Sequence, residues 1–166
     1  MLDYTGVRSE TFEWVGPLIG PRVETGMSGL AYLTGIRDGA VRPPDLGPLI
    51  HAELVEITRG RVQLICSAPA AQLGLLQEFD PGMASLLIQT AVNCAAQTLM
   101  GLHRGWATVA SHSSYIRPTS PRVGNLTATA EVVEASMERA VVKGELADEC
   151  GQVMTTVTTT LHLFDL

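Results

Sequence analysis

Residues 78–100 read EFDPGMASLLIQTAVNCAAQTLM. Asp80 before Pro81 is a helix-start pair. An Asp carboxylate accepts free N–H groups of the first turn, and proline suits the first helical position. From Pro81 to Leu102 the chain carries no charge. Inside that run Ser85, Gln89, Asn93 and Gln97 recur every four residues, so they share one drifting stripe of a helix. Amides donate and accept hydrogen bonds but do not take up a proton near neutral pH. The row therefore has two readings. Its members are satisfied core or interface groups, or they mark a site whose usual charged residue is missing. Capping is the ordinary use of Asp80, and a displaced catalytic carboxylate is the sharper one. Glu78 is a second candidate of that kind. Gly82 and Met83 carry helix-start N–H groups, which favour an anion or a carbonyl oxygen.

Other chemical signals are isolated. His51, His103, His112 and His162 have no metal-ligand spacing, so no metal site is expected. In the run ASHSSYIRP, His112 and Ser114 share one strand face, and Ser111 and Ser113 the other. The GMSG at 26–29 lacks the setting of a serine-hydrolase elbow, and there is no glycine-rich phosphate loop. Cys66, Cys94 and Cys150 are odd in number and far apart. They are expected to be free thiols in a cytoplasmic protein.

The elements that must position these residues are legible from patterning. The chain has 166 residues, the size of one domain. Hydrophobic residues make up 46% and charged ones 17%, which excludes disorder and suggests a surface covered by a partner subunit. Net charge is −6 without a basic cluster, which argues against a nucleic-acid or anionic-membrane surface. The charge-free run is long enough to span a bilayer, but its row of polar residues and the strands that follow point to a buried helix. Residues 1–25 read as an irregular arm. SGLAYLTGIRDG reads as a short helix capped by Ser28 and stopped by Gly39, with Leu30, Leu33 and Ile36 on one face. Two strands, 49–58 and 61–67, turn at TRGR. After Gly101 the period becomes two: WATVASHSSYIRP, VGNLTATAEVVEA, RAVVKGELA and QVMTTVTTTLHLF are strands. In the last, Val153, Val157, Leu161 and Leu163 share one face, and Met154, Thr156, Thr158, Thr160 and His162 the other. A helix this apolar must be covered on most sides. A curved antiparallel sheet around it gives an α+β unit, with one helix face left for a second subunit.

That order of elements, with YLTGIRDGAVRPP, GMASLLIQTAVNCAA, SYIRPTS and TTTLHLF in sequence, resembles the hotdog-fold thioesterases of the PaaI-like, phenylacetate-pathway type over residues 28–164. The resemblance implies a hotdog fold, a curved antiparallel sheet wrapped around one long central helix with an N-terminal helical extension. It also implies residues 1–47 as arm and short helix packed on a hotdog domain of 48–166. In that family a His-Gly-Gly turn leads into the helix, an Asn lies upstream, and a helix carboxylate acts as base or nucleophile. The first Gly offers its N–H to the thioester oxygen. An acyl-CoA substrate lies between two subunits, and coenzyme A enters only as part of it, with no further cofactor.

Laid on this chain without gaps, the His falls on Asp80, the two Gly on Pro81 and Gly82, the carboxylate on Gln89 and the Asn on Gly74. Gln89 cannot serve as a base, and Pro81 has no N–H. The implied catalytic positions are thus Gln89, Asp80 and Gly82, with Met83, Asn93, Arg117 and Arg139 as substrate-binding positions. Surface solvation is the ordinary fate of both arginines. Trp106 and Tyr115 would lie near the cleft. The expected function is acyl-CoA thioester hydrolysis with an atypical site in a homodimer or dimer of dimers; the alternative is a non-catalytic acyl-CoA-binding dimer. A dehydratase reading fits less well, because its helix carboxylate would fall on Leu87.

Overall fold

The computed structural model describes residues 11, 26–43, 50–67, 79–118 and 124–166. The expected arm at 1–25 and the loop holding Gly74 and Glu78 lie almost wholly outside the described residues. The elements are α1 (Gly29–Arg37), β1 (Ala52–Thr58), β2 (Arg61–Ser67), α2 (Pro81–Gln97), β3 (Arg104–Tyr115), β4 (Asn125–Ala135), β5 (Arg139–Ala147) and β6 (Val153–Asp165).

The local signals act as their chemistry requires. The Ser28 hydroxyl accepts the Ala31 N–H at 3.3 Å, and Gly39 ends α1 with φ +73°, a conformation glycine adopts at no steric cost. Tyr32 and Leu33 are buried beneath α1. Gly60, at φ +82°, turns β1 into β2. The first strand starts at Ala52 rather than 49, because His51 sits at φ +49°, where the chain bends out of strand geometry.

All six strands are antiparallel, in the order β1-β2-β4-β5-β6-β3. The sheet packs on α2 through alternate residues of its central strands. Val62 and Leu64, Leu126 and Ala128, Val142 and Leu146, and Leu161 are all buried. Facing them, α2 buries Ala84, Leu87, Ile88, Ala91, Val92, Ala95 and Ala96. Its alanines let the helix come close. Gly144 on β5 does the same from the sheet side: a Cβ there would stand 2.9 Å from Val157 and 3.2 Å from Ile88. Burying a Leu or Ile side chain of this core contributes about 1.5–3 kcal/mol.

In β6 Val157, Leu161 and Leu163 of the expected apolar face are buried and Val153 is half-buried; Met154 is buried as well, although its position places it with Thr156, Thr158 and Thr160, which are half-buried or exposed. At that end of the strand the Ile116 and Arg117 N–H groups both donate to the Met154 carbonyl. Strand β3 lies at a sheet edge. It carries a bulge between Thr108 and Ala110, and Val109 is 66% exposed. Among the described residues no helix is long and apolar enough to cross a membrane.

Candidate active site

The start of α2 is built as the Asp-Pro pair predicts. Asp80 is the N-cap, and its Oδ1 accepts the Gly82 N–H at 2.8 Å and the Met83 N–H at 3.3 Å. One carboxylate oxygen thus occupies both donors proposed for a substrate carbonyl. Glycine at 82 matters here, because a Cβ would stand 2.9 Å from that oxygen. Met83 leans against the core.

One turn further, the Ser85 hydroxyl makes a short hydrogen bond with the Tyr115 hydroxyl of β3. At the next step of the row, Gln89 Oε1 accepts from Ser111 Oγ at 3.0 Å and from Thr159 Oγ1 at 3.3 Å. Ser111 and Thr159 face each other across β3 and β6, with their hydroxyls 3.0 Å apart. The Gln89 amide nitrogen donates to Asn93 Oδ1 at 3.3 Å. At the end of the row, Gln97 Oε1 accepts the Trp106 indole N–H at 3.0 Å. The polar row is therefore stitched to β3 and β6 of its own chain, and the central amide is held by two hydroxyls.

This clamp fixes what Gln89 can do. Both lone pairs of its carbonyl have donors, and one amide hydrogen has an acceptor. Its second amide hydrogen and those of Asn93 have no partner among the described residues, and they can donate to a carbonyl oxygen. An amide so placed can polarise or orient, but it cannot accept a proton.

Beside the start of α2 lies a cavity of about 240 Å³, lined by Pro81, Tyr115, Arg117 and Thr155 among others. Arg117 borders it and donates to Gln152 at 2.8 Å. The structure thus brings Asp80, Gly82, Met83 and Arg117 to the start of α2, beside the end of β3, with Gln89 and Asn93 at the middle of the helix. It does not bring Arg139 there. Arg139 pairs with His162, at the far end of the sheet from Tyr115, and alternates with the inward-facing Ala140 and Val142. His112 is exposed, on the strand face opposite Ser111.

Sequence reasoning missed Thr159. Its signal was its phase: with Thr155, it is a polar residue on the buried face of β6, and a buried hydroxyl needs a partner. Among the described residues no group of three or more metal-ligating side chains converges.

No family model matches the chain, and no curated protein matches it. Solved structures do match its fold. A thioesterase family protein from Silicibacter pomeroyi is 22% identical, with 81% of this chain and 99% of that one covered and a TM-score of 0.70. A phenylacetic acid degradation-related protein from Ralstonia eutropha is 18% identical, with 79% and 98% covered and a TM-score of 0.72. The E. coli PaaI protein of the phenylacetic acid degradation operon is 17% identical, with 82% and 96% covered and a TM-score of 0.71. The chain has the hotdog fold that it shares with these structures.

Proposed function

We propose that the protein hydrolyses acyl-CoA thioesters along the seam where α2 meets β3, with each site shared by two copies of the chain. The observation that carries this is the Gln89 amide, held by Ser111 and Thr159 with its free N–H beside that of Asn93. Such paired donors suit the oxygen of a thioester carbonyl as it gains charge. The family resemblance, and the names of the structures that share the fold, supply the reaction class by analogy.

The sharing follows from helix geometry. Asp80 and Gln89 are nine residues apart, about 13 Å along a helix axis. They cannot both reach one thioester group unless they come from different copies. Edge strand β3 offers a place for a two-fold mate, since among the described residues no strand pairs with its outer side. In the paired site, Gln89 and Asn93 of one copy hold the carbonyl oxygen. Asp80 of the other copy releases its cap and takes a proton from the attacking water. The water oxygen bonds to the carbonyl carbon, the C–S bond breaks, and the CoA sulfur leaves as thiolate and takes the proton held by Asp80, which restores the carboxylate. Arg117 at the rim is placed for a CoA phosphate.

A second reading has its own observation. The acceptors at the site already have internal donors, with Asp80 on two N–H groups and the Gln89 carbonyl on two hydroxyls. That saturation favours a dimer that binds acyl-CoA without turnover. CoA release from acetyl-, octanoyl- and phenylacetyl-CoA separates the two. Release above the buffer rate, lowered about 10²-fold or more in Asp80→Asn, is the expected result. Rates equal to buffer across the panel, with CoA binding seen by calorimetry, would establish the binding module instead.

A further inference from the structure

A second cavity, of about 460 Å³, lies between α1, β1 and the C-terminal half of α2. We infer that it receives the acyl chain of the thioester, and that this chain is an unbranched aliphatic one of intermediate length. The inference rests on the reading that the thioester group sits at Gln89 and Asn93.

Continuity is the first argument. Asn93 accepts the Gln89 amide hydrogen and also lines this cavity, so the polar site and the apolar space share a wall. Chemistry of the walls is the second. Leu33 and Ile36 come from α1, Leu54 and Leu64 from the first two strands, and Trp106 closes the β3 side. Cys94 adds a thiol that behaves as a small hydrophobe. It is only half-buried, because it faces the cavity, yet its apolar surroundings push its pKa up to about 12, so it is uncharged at neutral pH. The lining groups that are charged at neutral pH are Arg37, paired with Asp38, and the exposed Glu53.

Length is the third argument. On α2 the cavity runs from Thr90 through Asn93 and Cys94 to Gln97. Seven residues of helix are about 10 Å, the reach of an extended chain of roughly eight carbons. A volume of 460 Å³ holds such a chain with room to spare, so the length of the cavity and not its volume sets the limit.

The wall formed by α1 is built in place. Gly29 donates its N–H to the Met100 carbonyl at 2.9 Å, and a Cβ on Gly29 would stand 1.7 Å from the Gln97 carbonyl oxygen. The positive end of α1 is thus seated on the negative end of α2.

The test uses S-alkyl-CoA thioethers from ethyl to hexadecyl, which cannot be hydrolysed. Binding is read from Trp106 fluorescence in Trp14→Phe, which leaves one indole. Affinity should rise about three- to fourfold for each added methylene up to roughly octyl, then level off or fall. Ile36→Phe and Cys94→Leu narrow the cavity from opposite walls, and in calorimetry each should move that break to shorter chains. The wild-type series stands as the test if either variant fails to fold. Affinity independent of chain length would overturn the inference while leaving thioester hydrolysis intact. Binding of no thioether at all would overturn both. A length-dependent series without any CoA release from the acyl-CoAs would uphold the cavity assignment and leave the protein a binding module.

Discussion

On the face of α2 turned to β2, β4 and β5, Leu87, Ile88, Ala91 and Val92 are removed from water almost completely. On the face turned to β3, Ser85, Gln89, Asn93 and Gln97 stay half-buried; Ser85, Gln89 and Gln97 reach the strand through directed hydrogen bonds, and Asn93 bonds Gln89. The first face is held by burial, which is non-directional and tolerates any side chain of the right size. The second is held by donors and acceptors in fixed positions, each worth little but each specifying geometry. Stability should therefore reside in the first face, and the precise seating of β3 against the site in the second.

The largest effect should come from breaking the apolar face. Ile88→Ala removes a fully buried side chain opposite Gly144 and should cost about 2–5 kcal/mol in urea unfolding. A cost below about 1 kcal/mol would mean that the helix is not the centre of the core. Gly144→Ala should cost about 1–3 kcal/mol, because Val157, Ile88 and Val92 must all retreat from the new methyl group. An unchanged midpoint there would show that α2 can shift freely on the sheet.

The polar face should answer more weakly. Gln97→Leu leaves the Trp106 indole N–H without its acceptor and should cost about 0.5–1.5 kcal/mol, with a change in Trp106 fluorescence larger than the stability change suggests. A loss as large as that of Ile88→Ala would erase the distinction between the faces. The smallest effect concerns thiols. Burial pushes Cys66 up to about 11 and Cys94 up to about 12, from an ordinary 9.0. Both pKa values are raised in the fold, so the protonated thiols favour it fully below pH 9, and that contribution is lost as pH rises through 11 and 12. Alkaline unfolding should be shallower in Cys94→Ala. At pH 8 a thiol reagent should label exposed Cys150 at once and the other two only slowly.

The central strands were legible in the sequence because period two and a one-sided burial coincide in RAVVKGELA, where Ala140, Val142, Gly144 and Leu146 do face α2. The cap at Asp80 was legible for a local reason: an Asp-Pro pair needs no tertiary context. The partners of the amide row were not. Gln89 meets Ser111 and Thr159 across 22 and 70 residues, and no spacing rule links a helix amide to hydroxyls on two strands. The separation of Arg139 from Arg117 within one chain was not legible for the same reason. Both lie near strand ends, and only the register of β5 on β6 shows that the ends are opposite ones.

Complementation between two defective copies tests most directly the claim that the start of one α2 and the middle of another make one site. Asp80→Asn and Gln89→Leu, each inactive in CoA release from octanoyl-CoA, would be unfolded, mixed in equal amounts and refolded together. In a two-fold dimer half of the pairs are mixed, and each mixed pair holds one intact site of two, so about a quarter of wild-type activity should return. Activity no greater than the sum of the separate variants, with mixed pairs shown to form, would contradict the shared site and return Asp80 to a capping role alone.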